Sequence, residues 1–237
     1  MINNKRILTV VPARGGSKGI AQKNLYPILG VPMVARVGHF VSKLSMIDRA
    51  VVSTDDDNIA QIAEEAGLSA PFRRPERLSG DCIGDWDVLN HALIEMERLD
   101  NVIYEIVLML QPTSPMRSAE DVSDTLSMLV EGDWDAVWTV SETDSKAHPL
   151  KQLVVNDEGD LNYYDQQGEN IIARQQLQPV YYRNGIAYAI TRDCLIKQKT
   201  INGERTGAMI VPGNHISIDT IWDVELVEFI MQREGRV

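Results

Sequence analysis

The period of apolar and polar positions changes repeatedly along the chain, and each change predicts an element. Ile7-Leu8-Thr9-Val10-Val11 is a short, β-branched apolar run stopped by Pro12, the pattern of a buried strand. Val31 to Ser45 spaces its apolar residues at helical intervals, with Pro32 suited to a first turn. Further buried strands are predicted at Ala50–Thr54, at Ile106–Leu110 before Pro112, and at Ala136–Val140. Helices are predicted over Asp56–Ala66, stopped by Gly67, and over Asp85–Leu99. Ser118-Ala119-Glu120-Asp121 has the form of a capping box and opens a helix to about Val130. Gly185–Ile190 and Met209–Val211 read as later strands, and Thr220 to about Arg233 as a terminal helix.

Strands that are apolar throughout and alternate with helices imply a parallel sheet covered on both faces. The expected fold class is α/β, a doubly wound and mostly parallel sheet. Ligands in such folds bind beyond the carboxyl ends of the strands. The segments Ala13–Ile20 and Gln111–Ser114 both follow strands, so one crevice is expected to face both. From Ser141 to about Pro179 the chain turns polar, with Asn156-Asp157-Glu158-Gly159-Asp160 as a hairpin turn. Residues 1–237 thus read as one domain from which about 141–180 departs as an inserted arm.

Composition adds exclusions. The 237 residues are 44% hydrophobic and 24% charged, which excludes a disordered chain, a collagen and a disulfide miniprotein. No apolar run reaches the roughly 18 residues of a membrane span, and Ile7–Val11 is too short for a signal-peptide core. Cys82 and Cys194 make neither a disulfide framework nor a zinc quartet, so a reduced, cytoplasmic setting is expected. The net charge of -11 argues against a general nucleic-acid coat. Its distribution is lopsided: Lys5, Arg6, Arg14, Lys18, Lys23, Arg36 and Lys43 all precede the first acidic residue, Asp48. A basic segment in an acidic protein points to a local anion site.

The candidate for that site is the loop Ala13-Arg14-Gly15-Gly16-Ser17-Lys18-Gly19-Ile20. Gly15, Gly16 and Gly19 permit close backbone approach and positive φ, and successive N–H groups there can form an anion nest. Arg14, Lys18 and Lys23 supply mobile positive charge, as a triphosphate requires. The loop matches neither G-x-x-x-x-G-K-[ST] nor G-x-G-x-x-G. Its composition alone also fits a flexible strand-to-helix turn.

The ordered residues carry a resemblance. Pro12 to Ile20 followed by Lys23-Asn24-Leu25 resembles the N-terminal signature of the acylneuraminate cytidylyltransferases, the CMP-sialic acid and CMP-nonulosonate synthetases. Further blocks agree in order: Ser53-Thr54-Asp55, Arg74-Pro75 to Asp81, Leu110-Gln111-Pro112-Thr113-Ser114-Pro115-Met116-Arg117, Arg174 to Leu177, Asn184-Gly185 to Tyr188, and Ile218-Asp219-Thr220 with Trp222-Asp223. The resemblance spans essentially the whole chain and implies a nucleotide-diphospho-sugar transferase-like fold. It implies transfer of CMP from CTP to the anomeric hydroxyl of a nine-carbon α-keto acid, with release of pyrophosphate.

By the same resemblance, Arg14, Ser17, Lys18 and Lys23 hold the CTP phosphates beside Gly15 and Gly16, with Asn24 and Arg74 at the nucleotide. Gln111 falls at the acid sugar and the reacting region, and Tyr188 on the sugar side. Lys151 and Arg174 match basic residues that reach a neighbouring subunit from a dimerisation arm, which implies a homodimer. Asp219 matches a carboxylate that holds the divalent metal, Mg²⁺ or Mn²⁺. The family commonly has Asp-x-Asp there; this chain has Ser217-Ile218-Asp219, so a hydroxyl replaces the first carboxylate. Asp85 falls where a relative places a small hydroxyl residue near the base.

Plainer readings accompany several of these positions. Gln111 can simply end a strand, Tyr188 can be core, and Lys151 and Arg174 can be solvated surface. Asp219 or Thr220 can cap the terminal helix, and Asp85 can cap its own. His39, His91, His148 and His215 show no ligand spacing and read as structural or surface residues. Two rival functions remain: a cytidylyltransferase for an eight-carbon 3-deoxy acid, and a non-catalytic nucleotide-binding paralogue. Lys18 and the Lys23-Asn24 pair disfavour the first; Ser217 is the sole support for the second.

Overall fold

In a computed structural model describing residues 1–213 and 215–235, the predicted elements appear with small shifts of boundary. In chain order they are β1 (Ile7–Pro12), β2 (Pro27–Ile28), β3 (Val31–Pro32), α1 (Met33–Val41), β4 (Arg49–Ser53), α2 (Asp57–Glu65), α3 (Asp85–Asp100), β5 (Ile106–Met109), α4 (Ala119–Glu131), β6 (Ala136–Glu142), β7 (Leu153–Val155), β8 (Leu161–Tyr163), β9 (Tyr181–Thr191), β10 (Thr206–Ile210) and α5 (Ile221–Arg233). Single helical turns occupy Lys23–Leu25, Glu76–Leu78 and Pro149–Lys151.

Six strands form the central sheet in the order β10-β6-β9-β5-β1-β4. β1 lies parallel to β4 and β5, and β10 parallel to β6, while β9 runs antiparallel between β5 and β6. The mostly parallel sheet expected from the strand pattern is therefore present, with one reversed strand near its middle. That reversal brings the start of β9 to the same edge as the carboxyl ends of β1 and β5. Ile7 to Val11 is fully buried, which explains why β1 reads as an unbroken apolar run.

Two apolar layers cover the sheet. Val34, Val37 and Val41 of α1, Ile59 and Ala63 of α2, and Val122, Leu126 and Leu129 of α4 pack on one face. Leu89, Ala92, Leu93 and Met96 of α3, with Cys194 and Leu195, pack on the other. Burial pushes the Cys194 thiol up to about 12, so this cysteine is an inert packing residue. A third cluster joins Val224, Val227 and Met231 of α5 to Ile20, Ile28 and Met116, anchoring the last helix beside the glycine loop. No helix among the described residues is long and apolar enough to cross a membrane.

Several helix starts follow local chemistry. Ser118 and Asp121 form the expected reciprocal capping box on α4. Asp56 caps α2 by accepting from the Ile59 N–H. α1 begins after Pro32 rather than on it, because Pro32 is extended and pairs with Pro27 in the small ribbon. That ribbon, unexpected from the sequence, turns through Leu29 (φ 47°) and Gly30 (φ 76°), two successive left-handed residues that suit a tight hairpin.

Between β6 and β9 the chain leaves the sheet as a β7–β8 hairpin with short helical turns. Asn156 Oδ1 accepts from the N–H groups of Glu158 and Asp160, which closes the hairpin turn where Gly159 has φ 91°. His148 anchors the base of this arm, with Nδ1 accepting from Leu150 N–H and Nε2 on the Gln178 carbonyl.

Candidate functional site

Five segments converge at the carboxyl ends of β1 and β5 around a cleft of about 420 Å³. This volume lies in the ordinary range for small-molecule sites, about 300–1,000 Å³. One wall is the glycine loop with Arg14, Ser17 and Lys18, continued by Lys23 and Asn24. The opposite wall carries Arg74, Asp81 and Asp85. Gln111 to Thr113 follow β5, and Ser217 and Asp219 precede α5. The single crevice expected from the strand pattern thus exists and unites nearly all of the predicted nucleotide and metal residues.

The glycine loop works by close packing rather than by positive φ. Gly15, Gly16 and Gly19 are absent from the residues with φ above zero, against the expectation of left-handed backbone. Gly19 is required for proximity, since a Cβ there would lie 2.4 Å from the Asp219 carbonyl oxygen. The Gly15 N–H donates to Asp55 Oδ1 at 3.0 Å, and Gly16 faces open space. Asn24 is buried and its Nδ2 donates to the Arg14 carbonyl at 2.9 Å, so it braces the loop from behind.

Every cation of the loop region is matched by a carboxylate. Arg14 and Lys18 both contact Asp81 at 2.5 Å, one on each carboxylate oxygen. Lys23 lies 2.8 Å from Asp219 Oδ1 and also donates to the Ile218 carbonyl at 3.2 Å. The ammonium of Lys18 and the guanidinium of Arg14 hold the Asp81 carboxyl below its usual range. Asp81 occurs in the sequence block that begins at Arg74, but sequence reasoning assigned it no role.

Arg74 is buried beneath the cleft. Its side chain donates to the Ser53 carbonyl, its backbone N–H to the Thr54 carbonyl, and its Nε lacks a protein partner. Burial lowers this guanidinium to about 10, which leaves it charged at neutral pH.

Gln111 is positioned from below. Its carbonyl accepts from Arg117 Nη2 and from the Ser114 N–H, and Arg117 Nε donates to the Ile186 carbonyl at 3.0 Å. Burial pushes Arg117 down to about 9, so this strut also stays charged. Asn184 is fully buried and bonds Thr139, Ser141 and Ile186 N–H around the irregularity between β6 and β9. That network sets Gly185 at φ 73° directly against Gln111 and Ser114. Sequence reasoning gave Arg117 and Gly185 no role; their presence in the Gln111 and Asn184 blocks was the only signal.

Asp219 does not cap α5. Thr220 is the cap, in a reciprocal box with Asp223, whose carboxylate also accepts from the Asp219 N–H at 3.0 Å. Burial raises the Asp223 carboxyl, but the donors on Asp219 and Thr220 outweigh it and hold it below the usual range. The Asp219 side chain is thereby free to face the cleft, 74% exposed. Among the described residues no three His, Cys, Asp or Glu side chains gather as a metal cage. Asp219 with the Ser217 hydroxyl nevertheless fits Mg²⁺, which takes one or two carboxylates and otherwise keeps water and phosphate oxygens.

Tyr188 is placed differently from the expectation, and the plainer reading of Asp85 as a helix cap is not realised. Tyr188, expected on the sugar side, is 1% exposed and does not line the cleft. Its hydroxyl accepts from the Gly185 N–H at 2.8 Å and its ring packs on Trp138, because β9 turns that face toward α3. Asp85 is not a helix cap; Gly84 holds that position, and Asp85 pairs with Arg183 at 2.9 Å. Arg183, unremarked in the sequence, lies over the Trp138 and Tyr188 rings at 4.6 and 5.0 Å. Lys151 and Arg174 sit on the arm and do not line this chain's own cleft.

Comparison with known proteins agrees with the resemblance seen in the sequence. The cytidylyltransferase family profile matches residues 8–234. The CMP-N,N'-diacetyllegionaminic acid synthase of Legionella pneumophila is 30% identical over 96% of this chain and 97% of that protein. The N-acylneuraminate cytidylyltransferase of Streptococcus agalactiae serotype V is 33% identical over 85% of this chain and 47% of that longer one. A solved CMP:2-keto-3-deoxy-manno-octonic acid synthetase, complexed with CTP, shares the fold with a TM-score of 0.68 at 23% identity, covering 97% of this chain and 99% of the other. With a family match across nearly its full length and a cleft that collects the matching residues, the chain belongs to the cytidylyltransferase family and is a nucleotidyltransferase.

Proposed function

We propose that this cytidylyltransferase transfers CMP from CTP to the anomeric hydroxyl of a nonulosonic, sialic-acid-like α-keto acid and releases pyrophosphate. The observation that carries the reading is one cleft with Arg14, Lys18 and Lys23 on one wall and Gln111 at its adjoining edge. The cations bind the polyphosphate and offset the charge that grows on the leaving pyrophosphate. Gln111, held by Arg117 and Gly185, orients the acid sugar for in-line attack on the α-phosphorus. Arg74 and Asn24 support the nucleotide wall, and Asp85 lies on the side of the base. Asp219 with Ser217 would hold Mg²⁺ or Mn²⁺, which when bound supplies charge neutralisation at phosphate oxygens.

The arm supports a homodimer. Val155, Leu161, Tyr164 and Ile172 expose apolar surface on it, while Lys151 and Arg174 point no charge into their own cleft. A second copy would cover that surface and receive the two cations at its sugar end. The two cysteines are unpaired, which suits a reduced, cytoplasmic setting.

The test is incubation with CTP, Mg²⁺ and a panel of acids: N-acetylneuraminate, legionaminate, pseudaminate, deaminated forms and an eight-carbon 3-deoxy acid. A CMP-sugar from a nine-carbon acid with matching pyrophosphate is the expected result. Turnover of the eight-carbon acid alone, or no pyrophosphate with any acid, overturns the assignment. An active monomer in sedimentation overturns the role of the arm.

A further inference from the structure

We propose that Asp81 is a positioning residue that competes with the nucleotide polyphosphate for Arg14 and Lys18, and so sets how tightly CTP is held and how readily pyrophosphate leaves. The inference rests on the polyphosphate reading of the cleft given above.

The geometry is that of a stand-in anion. One carboxylate places Oδ1 on Arg14 Nη1 and Oδ2 on Lys18 Nζ, each at 2.5 Å, within the cleft itself. Lys18 is 82% exposed, on a glycine-rich loop, and Asp81 is its only ion-pair partner among the described residues. Asp81 therefore occupies the donors of both cations that an incoming polyphosphate would use. The same contact must break when phosphate oxygens claim those donors, and the displaced carboxylate then stands close to a polyanion. Repulsion between them weakens the complex and favours departure of pyrophosphate once the bond to the α-phosphorus has broken.

The other carboxylate that pairs with a cation of the loop region is arranged differently. Asp219 takes Lys23, but Lys23 stays fixed through the Ile218 carbonyl whether or not Asp219 lets go. Only the Asp81 contact leaves two cations without a protein anion when it opens.

Asp81→Asn keeps the shape of the side chain and removes its charge, and Asp81→Glu restores the charge. Titration calorimetry with inorganic pyrophosphate and with CTP, beside steady-state kinetics, reads the effect. Loss of two partly exposed ion pairs predicts about three- to tenfold tighter pyrophosphate binding in Asp81→Asn. The KM for CTP falls to match while kcat holds or drops, and Asp81→Glu returns toward wild type. A purely structural role would weaken both ligands instead. Unchanged or weaker binding in Asp81→Asn, with normal binding by wild type, overturns the role of Asp81 and leaves the cleft reading standing. Failure of wild type itself to bind either ligand overturns both.

Discussion

Gln111 can line the cleft because residue 185 has no side chain: a Cβ on Gly185 would stand 2.4 Å from Gln111 Oε1 and 2.4 Å from Ser114 Oγ. The glycine also holds φ 73°, which other residues adopt at a cost of about 1–2 kcal/mol. Gly185→Ala is expected to lower the melting temperature and push Gln111 aside. Such a misplacement should raise the KM for the acid sugar by about tenfold or more, with CTP affinity changed much less. Calorimetric titration with CTP and kinetics with the acid separate the two; equal loss of both would mean general damage rather than displacement of Gln111.

Arg117 ties the Gln111 carbonyl to the Ile186 carbonyl from a fully buried position. Arg117→Met fills the space but leaves two buried carbonyls short of a charged donor, a loss of about 2–4 kcal/mol in denaturant unfolding. Arg117→Lys should recover only part of it, since a single ammonium cannot reproduce the fork of the guanidinium. A midpoint unchanged in Arg117→Met would show that the strut is dispensable.

Lys18 and Asp219 are both mostly exposed, so their removal should spare folding and act on the reaction. Lys18→Ala is expected to raise the KM for CTP by about tenfold, through a lost charge-assisted contact. Asp219→Ala is expected to cut metal-dependent turnover by about a hundredfold or more. Near-normal rates for Asp219→Ala across a magnesium titration would remove the metal assignment.

Asp135 joins the edge of the sheet to the loop before β10. It accepts from the N–H groups of Arg205 and Glu204 and from Gln198 Nε2. The Arg205 N–H first, then Gln198 and Glu204, hold its carboxyl below the usual range. A carboxyl with a lower value in the folded chain than in the unfolded one binds its proton preferentially on unfolding. Its stabilisation is therefore complete above the ordinary carboxylate range and is lost as pH falls through the lowered folded value. Asp135→Ala should be less stable at neutral pH and show a shallower loss of stability in acid, measured by urea midpoints from about pH 6 to pH 3. Parallel pH curves for the two proteins would exclude the contribution.

Much of the site was legible because its parts lie in short contiguous blocks. Arg14 to Lys18, Lys23-Asn24, Gln111 and Asp219 each sit at the end of a strand or beside a helix start, and a parallel sheet gathers such ends along one edge. Tyr188 misled because a tyrosine inside an apolar strand reads the same whether its hydroxyl faces a ligand or a backbone N–H. Asp81, Arg117 and Gly185 carried no signal beyond their place in longer blocks, and Arg183 none, since each matters through a partner 30 or more residues away or through the space it leaves free.

Local pattern by itself determined the order of strands and helices, the α/β class and the glycine-rich loop that follows β1, since these depend on neighbours within a few turns. Only the tertiary structure decided that β9 runs against its neighbours, that Asp81 bridges two cations, and that Gly185 makes room for Gln111. Strand direction, ion pairing and clearance are set by atoms that meet only after the chain has closed on itself, and no periodicity along the sequence records them.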